Sequence, residues 1–141
     1  MMRKKSMLLL ALSALILSSC SIEDDEPNFH FTALEIVSAE VPDAFELNET
    51  YVIKVAYLKP NECTFYEGFN VVKEDTTVRN VVAVGSVRVD FEACTQAVVE
   101  ETKTFDFKVI YTDPYTFKFY TGDNSEGEPE YLEVVVPVNT P

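Results

Sequence analysis

Few residues in this 141-residue chain can do chemistry: three cysteines, one histidine, and a surplus of carboxylates, 24 Asp and Glu against 11 Lys and Arg. A Ser-His-Asp or Cys-His arrangement needs its imidazole oriented inside a formed pocket. His30 precedes the first expected strand, where an exposed linker residue is the simpler reading. No GxSxG, HExxH or Gly-rich phosphate loop occurs, and four glycines in all leave little for cradling phosphate. Paired carboxylates can hydrolyse glycosides. With 24 acids, however, pairs arise by chance, and none sits in a motif that would raise one pKa selectively, so a solvated acidic face is expected.

Two further groups are candidates for binding. The stretch from Gly122 to Glu130 offers closely spaced oxygen donors, among them Asp123, Asn124 and Glu126. Calcium takes six to eight such oxygens, but Gly127 falls one place short of the EF-hand glycine and Val134 stands where the bidentate Glu belongs. A flexible hairpin tip without metal is therefore expected, and no cofactor is implied. The aromatics are ten Phe and seven Tyr, with no Trp. Most fall on apolar strand faces and should be core. Tyr66 and Tyr120 have the opposite parity to their neighbours, which makes them candidate contacts for a glycan or a protein partner; partly buried edge positions are the alternative.

The amino terminus gives an address. Arg3, Lys4 and Lys5 precede an apolar run from Met7 to Leu17, followed by Ser18, Ser19 and Cys20. A basic front, a short apolar run and a small-residue exit make a secretory signal, too short for a spanning helix of about 20 residues. Leu17-Ser18-Ser19-Cys20 resembles the lipobox of bacterial lipoproteins. The resemblance implies cleavage before Cys20 and acylation of Cys20, so that the membrane partner is reached through lipid; an ordinary signal leaving a free Cys20 is the alternative. Two or more chains anchor stably, at about 0.8 kcal/mol per buried CH₂. The following Ser-Ile-Glu-Asp-Asp-Glu-Pro-Asn resembles the acidic tract of Bacteroidota surface lipoproteins. It implies display on the outer membrane at the cell surface, with a periplasm-facing lipoprotein as the alternative. The expected divisions are a signal peptide over 1–19, an acidic flexible tether over 20–30 and a folded domain over 31–141.

Cleavage would remove three of the 11 basic residues and no acid, leaving eight against 24, a net charge of −16. Such a surface repels phosphate backbones and anionic headgroups, so nucleic acid is not an expected partner. If Cys20 carries lipid, Cys63 and Cys94 remain as an even pair in an oxidising compartment. A disulfide between them is expected, with two separate buried thiols as the alternative. No CxxC or Cys/His spacing supports zinc or redox chemistry.

The elements that must position these residues read as strands throughout. Tyr51, Ile53, Val55 and Tyr57 alternate with Val52, Lys54 and Ala56; Phe105, Phe107, Val109 and Tyr111 alternate likewise, as do Tyr115, Phe117 and Phe119. Further strands are expected in 31–41, 63–72 (with a bulge at Gly68), 78–91 (broken near Gly85-Ser86) and 131–138; 95–103 reads as a polar connection. Seven to eight strands with one apolar face each must pair those faces between sheets. An all-β, immunoglobulin-like antiparallel β-sandwich is expected, with a small β-barrel as the alternative. The order is similar to bacterial Ig-like lipoprotein domains, although the core Trp is missing. The sequence is thus read as no enzyme but a lipid-anchored binding or structural module, with an envelope-assembly subunit joined by edge-strand pairing or a carboxylate hydrolase as alternatives.

Overall fold

A computed structural model describes Cys20 and residues 28–91 and 93–141. The expected signal peptide and the acidic tract from Ser21 to Pro27 lie outside the described residues. Within them the chain is all-β: β1 (Phe29–Leu34), β2 (Ile36–Glu40), β3 (Phe45–Glu46), β4 (Thr50–Lys59), β5 (Thr64–Asp75), β6 (Val78–Arg88), β7 (Val99–Lys108), β8 (Tyr115–Asp123), β9 (Pro129–Val136) and β10 (Val138–Asn139). One sheet contains β1, β5, β6, β8 and β9; a second has the order β2-β4-β7; β3 and β10 form a short parallel pair. No sheet closes on itself, so the architecture is the sandwich and not the barrel.

The two main sheets share one aromatic core. Ile53, Val55 and Tyr57 from β4 and Phe107 from β7 meet Val81 and Ala83 from β6 and Phe117 and Phe119 from β8. Phe45 is fully buried beside Tyr51, Phe107, Tyr115 and Phe117, with ring centroids 4.8–6.1 Å away. The period-2 alternation seen in 51–57, 105–111 and 115–119 therefore points its apolar side inward, as a sandwich requires.

Strand β6 is the spine of the larger sheet. β5 pairs antiparallel along one edge, from Val78 to Val87. The other edge is divided: β1 pairs antiparallel with Ala83–Arg88, and β8 pairs parallel with Val78–Val81. Gly85 lies where this packing is tightest. A Cβ there would stand 3.1 Å from the Leu34 side chain and from the Phe65 carbonyl oxygen. The glycine thus lets β6 run straight through, where a break had been expected.

Several sequence expectations are corrected. The strand expected over 31–41 is two strands; the chain changes sheet at Glu35, between Leu34, paired to Ala83, and Ile36, paired to Tyr57. The tether was expected to reach residue 30, but β1 begins at Phe29, and His30 stands opposite Val87 in the ladder with its side chain exposed. The strand through Phe91 ends at Arg88, and β7 starts at Val99, inside the expected polar connection. Val99 to Lys103 were hidden because their side chains are mostly polar and mostly exposed; backbone pairing with Lys59–Val55 holds them.

One end of the sandwich is closed by Arg79 and Tyr115. Arg79 is buried and faces no carboxylate among the described ion pairs. Its Nη1 donates to the carbonyls of Asp75, Thr76 and Val78 at 3.0–3.1 Å, and its guanidinium lies 5.4 Å from the Tyr115 ring centroid. The Tyr115 hydroxyl accepts from the backbone N–H of Ile110 and of Tyr111, both at 3.1 Å. A tyrosine hydroxyl bonded to backbone a few residues upstream is the tyrosine corner of Greek-key sandwiches. Tyr115→Phe should lower stability by about 1–3 kcal/mol by leaving both donors without their acceptor. Urea denaturation checks this as a lower midpoint with an unchanged slope.

Candidate functional site

Strand β5 carries the irregularity that shapes the surface. Its register with β6 shifts between Tyr66 and Gly68, and Gly68 has φ of +150°. A one-residue bulge reverses which face each side chain takes. Beyond it, Phe69 and Val71 lie opposite Ala83 and Val81 on the core side; before it, Tyr66 is opposite Gly85 on that same side. Phe65 therefore turns outward.

The outward side holds a cluster of exposed phenylalanines. Phe31 and Phe65 stand opposite Ser86 on either side of β6, and Phe29 stands opposite Arg88. Exposures are 37% for Phe29, 66% for Phe31, 42% for Phe65 and 46% for Phe91. The Phe29 and Phe31 rings meet edge to face at 5.4 Å. Phe29, Phe65, Glu67, Ser86 and Arg88 line a shallow depression of about 270 Å³. Arg88 lies 5.2 Å from the Phe91 ring centroid and Lys59 Nζ lies 5.9 Å from that of Phe65.

Polar groups around the rings are already matched. Ser86 Oγ donates to Glu67 Oε1. Arg88 forks onto Asp90 through Nε at 3.0 Å and Nη2 at 2.6 Å, and Asn28 Nδ2 donates to the same carboxylate at 2.9 Å. The Arg88 hydrogen bond holds the Asp90 carboxyl below its usual range, and Asp90 raises Arg88. That is the opposite of what a general acid needs. Both groups are exposed, so the pair serves position more than stability. It fixes where the chain enters the fold, together with Val89 N–H donating to the Asn28 carbonyl at 2.9 Å.

The disulfide lies directly beneath this corner. Cys63 and Cys94 are bonded, with Cα atoms 5.6 Å apart. Asn61 Oδ1 accepts from Cys63 N–H at 3.0 Å and from Thr64 Oγ1 at 2.9 Å, and the Cys63 carbonyl accepts from Arg88 N–H at 3.0 Å. The bridge staples the start of β5 to the segment after β6. Cys20 is exposed and takes no part in the disulfide.

The other sequence candidates do not join this cluster. Tyr66, read as a possible exposed contact, is half-buried and stacks on Tyr57 with centroids 5.0 Å apart. The reversal at Gly68 breaks the simple alternation and turns Tyr66, not Phe65, toward the core. Tyr120 is also half-buried; its ring packs against Tyr131 and its hydroxyl donates to Asp123 Oδ1 at 3.0 Å. In the β8–β9 turn, Asn124 Oδ1 accepts from the N–H groups of Glu126 and Glu128 at 2.9 and 3.0 Å. Asp123 and Asn124 thus serve the turn's own geometry. Among the described residues, no three His, Cys, Asp or Glu side chains gather to hold a metal.

A second depression on the same sheet is lined by Val72, Glu74, Asn80, Val82, Lys118 and Tyr131. Lys118 Nζ bonds Glu74 at 3.0 Å and covers the Tyr131 ring at 4.8 Å, which closes the ring face to a stacked ligand. The sequence reading missed the phenylalanine cluster because Phe29 was assigned to the tether and Phe65 to the core. The signal that could have found it is the Phe-x-Phe spacing at 29 and 31, which puts both rings on one face of a strand. In comparisons with known proteins, no family model, curated protein or solved structure matches the chain.

Two outcomes test this arrangement. Replacing Cys63 and Cys94 together by Ala opens a loop of 32 residues and should cost about 3–4 kcal/mol in denaturant unfolding. The second concerns alkali. Burial, followed by the hydrogen bond its hydroxyl donates to Glu101 at 2.8 Å, raises the Tyr57 pKa far above the usual phenol value. Burial raises Tyr66 and Tyr120 as well. A raised pKa means the fold holds the proton that the unfolded chain releases. Its stabilising contribution is complete below a pH of about 10 and falls as pH rises beyond it. The hydrogen bond from Lys73 lowers partly buried Tyr111 and so acts in the opposite sense. Stability should be level through neutral pH and drop in alkali, and Tyr57→Phe should flatten that drop in pH-dependent urea titrations.

Proposed function

We propose that the chain is an envelope lipoprotein in which lipid on Cys20 holds a non-catalytic β-sandwich at the membrane, and that the phenylalanine face formed by β1, β5, β6 and the segment after β6 is its contact surface. The observation that carries this reading is the set of four exposed rings whose neighbours Ser86 and Arg88 are paired within the domain. Single exposed apolar residues are ordinary, whereas a grouped and rimmed set marks an interaction site. Arg88 and Lys59 at the rim suit such a role. The acidic tract after Cys20 supports display on the outer membrane, facing outward.

A second reading, membership of a larger envelope assembly by strand addition, has its own support. Among the described residues, β5, β7 and β9 each pair along one edge only, and such edges can accept another strand. β9 ends in Val134-Val135-Val136, with Val135 strongly exposed.

The anchor is tested by Cys20→Ala. Wild-type protein should sediment with membranes and carry acyl mass on Cys20. The variant should appear in the soluble fraction or retain its leader. Membrane retention with normal processing of the variant overturns the lipid reading. Protease shaving of intact cells then separates outward from periplasmic display.

A further inference from the structure

We infer that the occupant of the phenylalanine face is the lipid surface itself: the domain rests Phe29, Phe31, Phe65 and Phe91 against the membrane that holds its own Cys20. This rests on the lipoprotein reading above and deepens it by naming what the contact surface touches.

Chain length argues for it first. Phe29 is only nine residues after Cys20, and nine residues fully extended span about 30 Å. The entry of the chain into the fold is also pinned at the cluster itself, through Asn28 to Asp90 and Val89. The part of the domain closest along the chain to the anchor is therefore its most exposed aromatic corner. A short tether raises the effective concentration of a weak second contact to the millimolar range, so the face need not bind membranes unaided.

Chemistry argues for it second. Phenyl rings offer no hydrogen bond, Ser86 Oγ donates to Glu67, and the Nε and Nη2 of Arg88 are held by Asp90. A glycan or a polar peptide would find few free partners here. The glycerol and acyl region of a bilayer asks for none. Lys59 and Arg88 sit beside the rings, where a cation can stay at headgroup level while the ring enters. With a net charge of −16 after cleavage, attraction to anionic lipid cannot drive the contact. It depends on apolar area and should persist in salt.

The test exploits the absence of Trp from the chain. Phe31→Trp places a single reporter in the face. Val52→Trp places one at an exposed position on β4, in the opposite sheet. The full-length processed proteins, purified from membranes and shown by mass spectrometry to be acylated on Cys20, are reconstituted into phosphatidylcholine vesicles containing brominated lipid. The Phe31→Trp emission should shift to the blue and be quenched several-fold more strongly than that of Val52→Trp, and added salt should not reverse it. Equal quenching of the two reporters on acylated protein overturns this inference and leaves the anchor intact. A Cys20 without acyl chains overturns the anchor reading and this inference with it. Far-ultraviolet circular dichroism matching wild type confirms that each variant reports on the native fold.

Discussion

The hydrogen-bond ladder along β6 is the constraint from which the rest of the molecule takes its form. A strand has two edges, and here one is filled by β5 while the other is divided between β1 and β8. Because β1 holds only the Ala83–Arg88 half, it cannot continue beside β6 past Leu34. The chain turns at Glu35 and continues as β2 in the other sheet. That change of sheet ties the two layers together through one covalent path. β8, reached from β7 in the other sheet, pairs parallel to β6 on the half of the edge that β1 leaves open. Gly85 permits the close approach of Leu34 and the Phe65 carbonyl that this spine requires.

Much of this was legible in the residues. Where large apolar side chains recur at every second position, as in 51–57, 105–111 and 115–119, the strands and their buried faces follow from period alone. What stayed hidden has a common physical origin. Pairing uses backbone groups, so Val99–Lys103 can be a strand with little apolar signal. A bulge changes parity, so Phe65 and Tyr66 exchange sides although the bulge itself was expected at Gly68. Spacing along the chain likewise does not report where a strand changes sheet, and so 31–41 read as one strand. The cysteine pair was legible for a different reason: the lipobox resemblance sets Cys20 apart, and Cys63 and Cys94 remain as the one even pair.

Charge is distributed in two distinct ways. The acidic surplus lies on the outside, where Glu40, Glu74 and Asp90 meet Lys54, Lys118 and Arg88 in partly exposed pairs that hold geometry more than they stabilise. Arg79 is the exception. Its charge is buried among three carbonyls and two aromatic faces, a solution that the planar guanidinium permits and a lysine ammonium would not. Basic residues are scarce in this chain, so placing one inside marks the β5–β6 turn as a position where the fold needs a plug.

The disulfide has a mechanical consequence. It spans Cys63 to Cys94 and so encloses the whole of β5 and β6 within one covalent loop. Any pull transmitted through the amino-terminal segment reaches the domain at Asn28 and is borne by the six paired positions between β1 and β6. Load then passes to a cross-linked hairpin and not to a free strand. Shear that detaches β1 leaves the spine and its partner closed on each other, ready to receive β1 again when the force subsides.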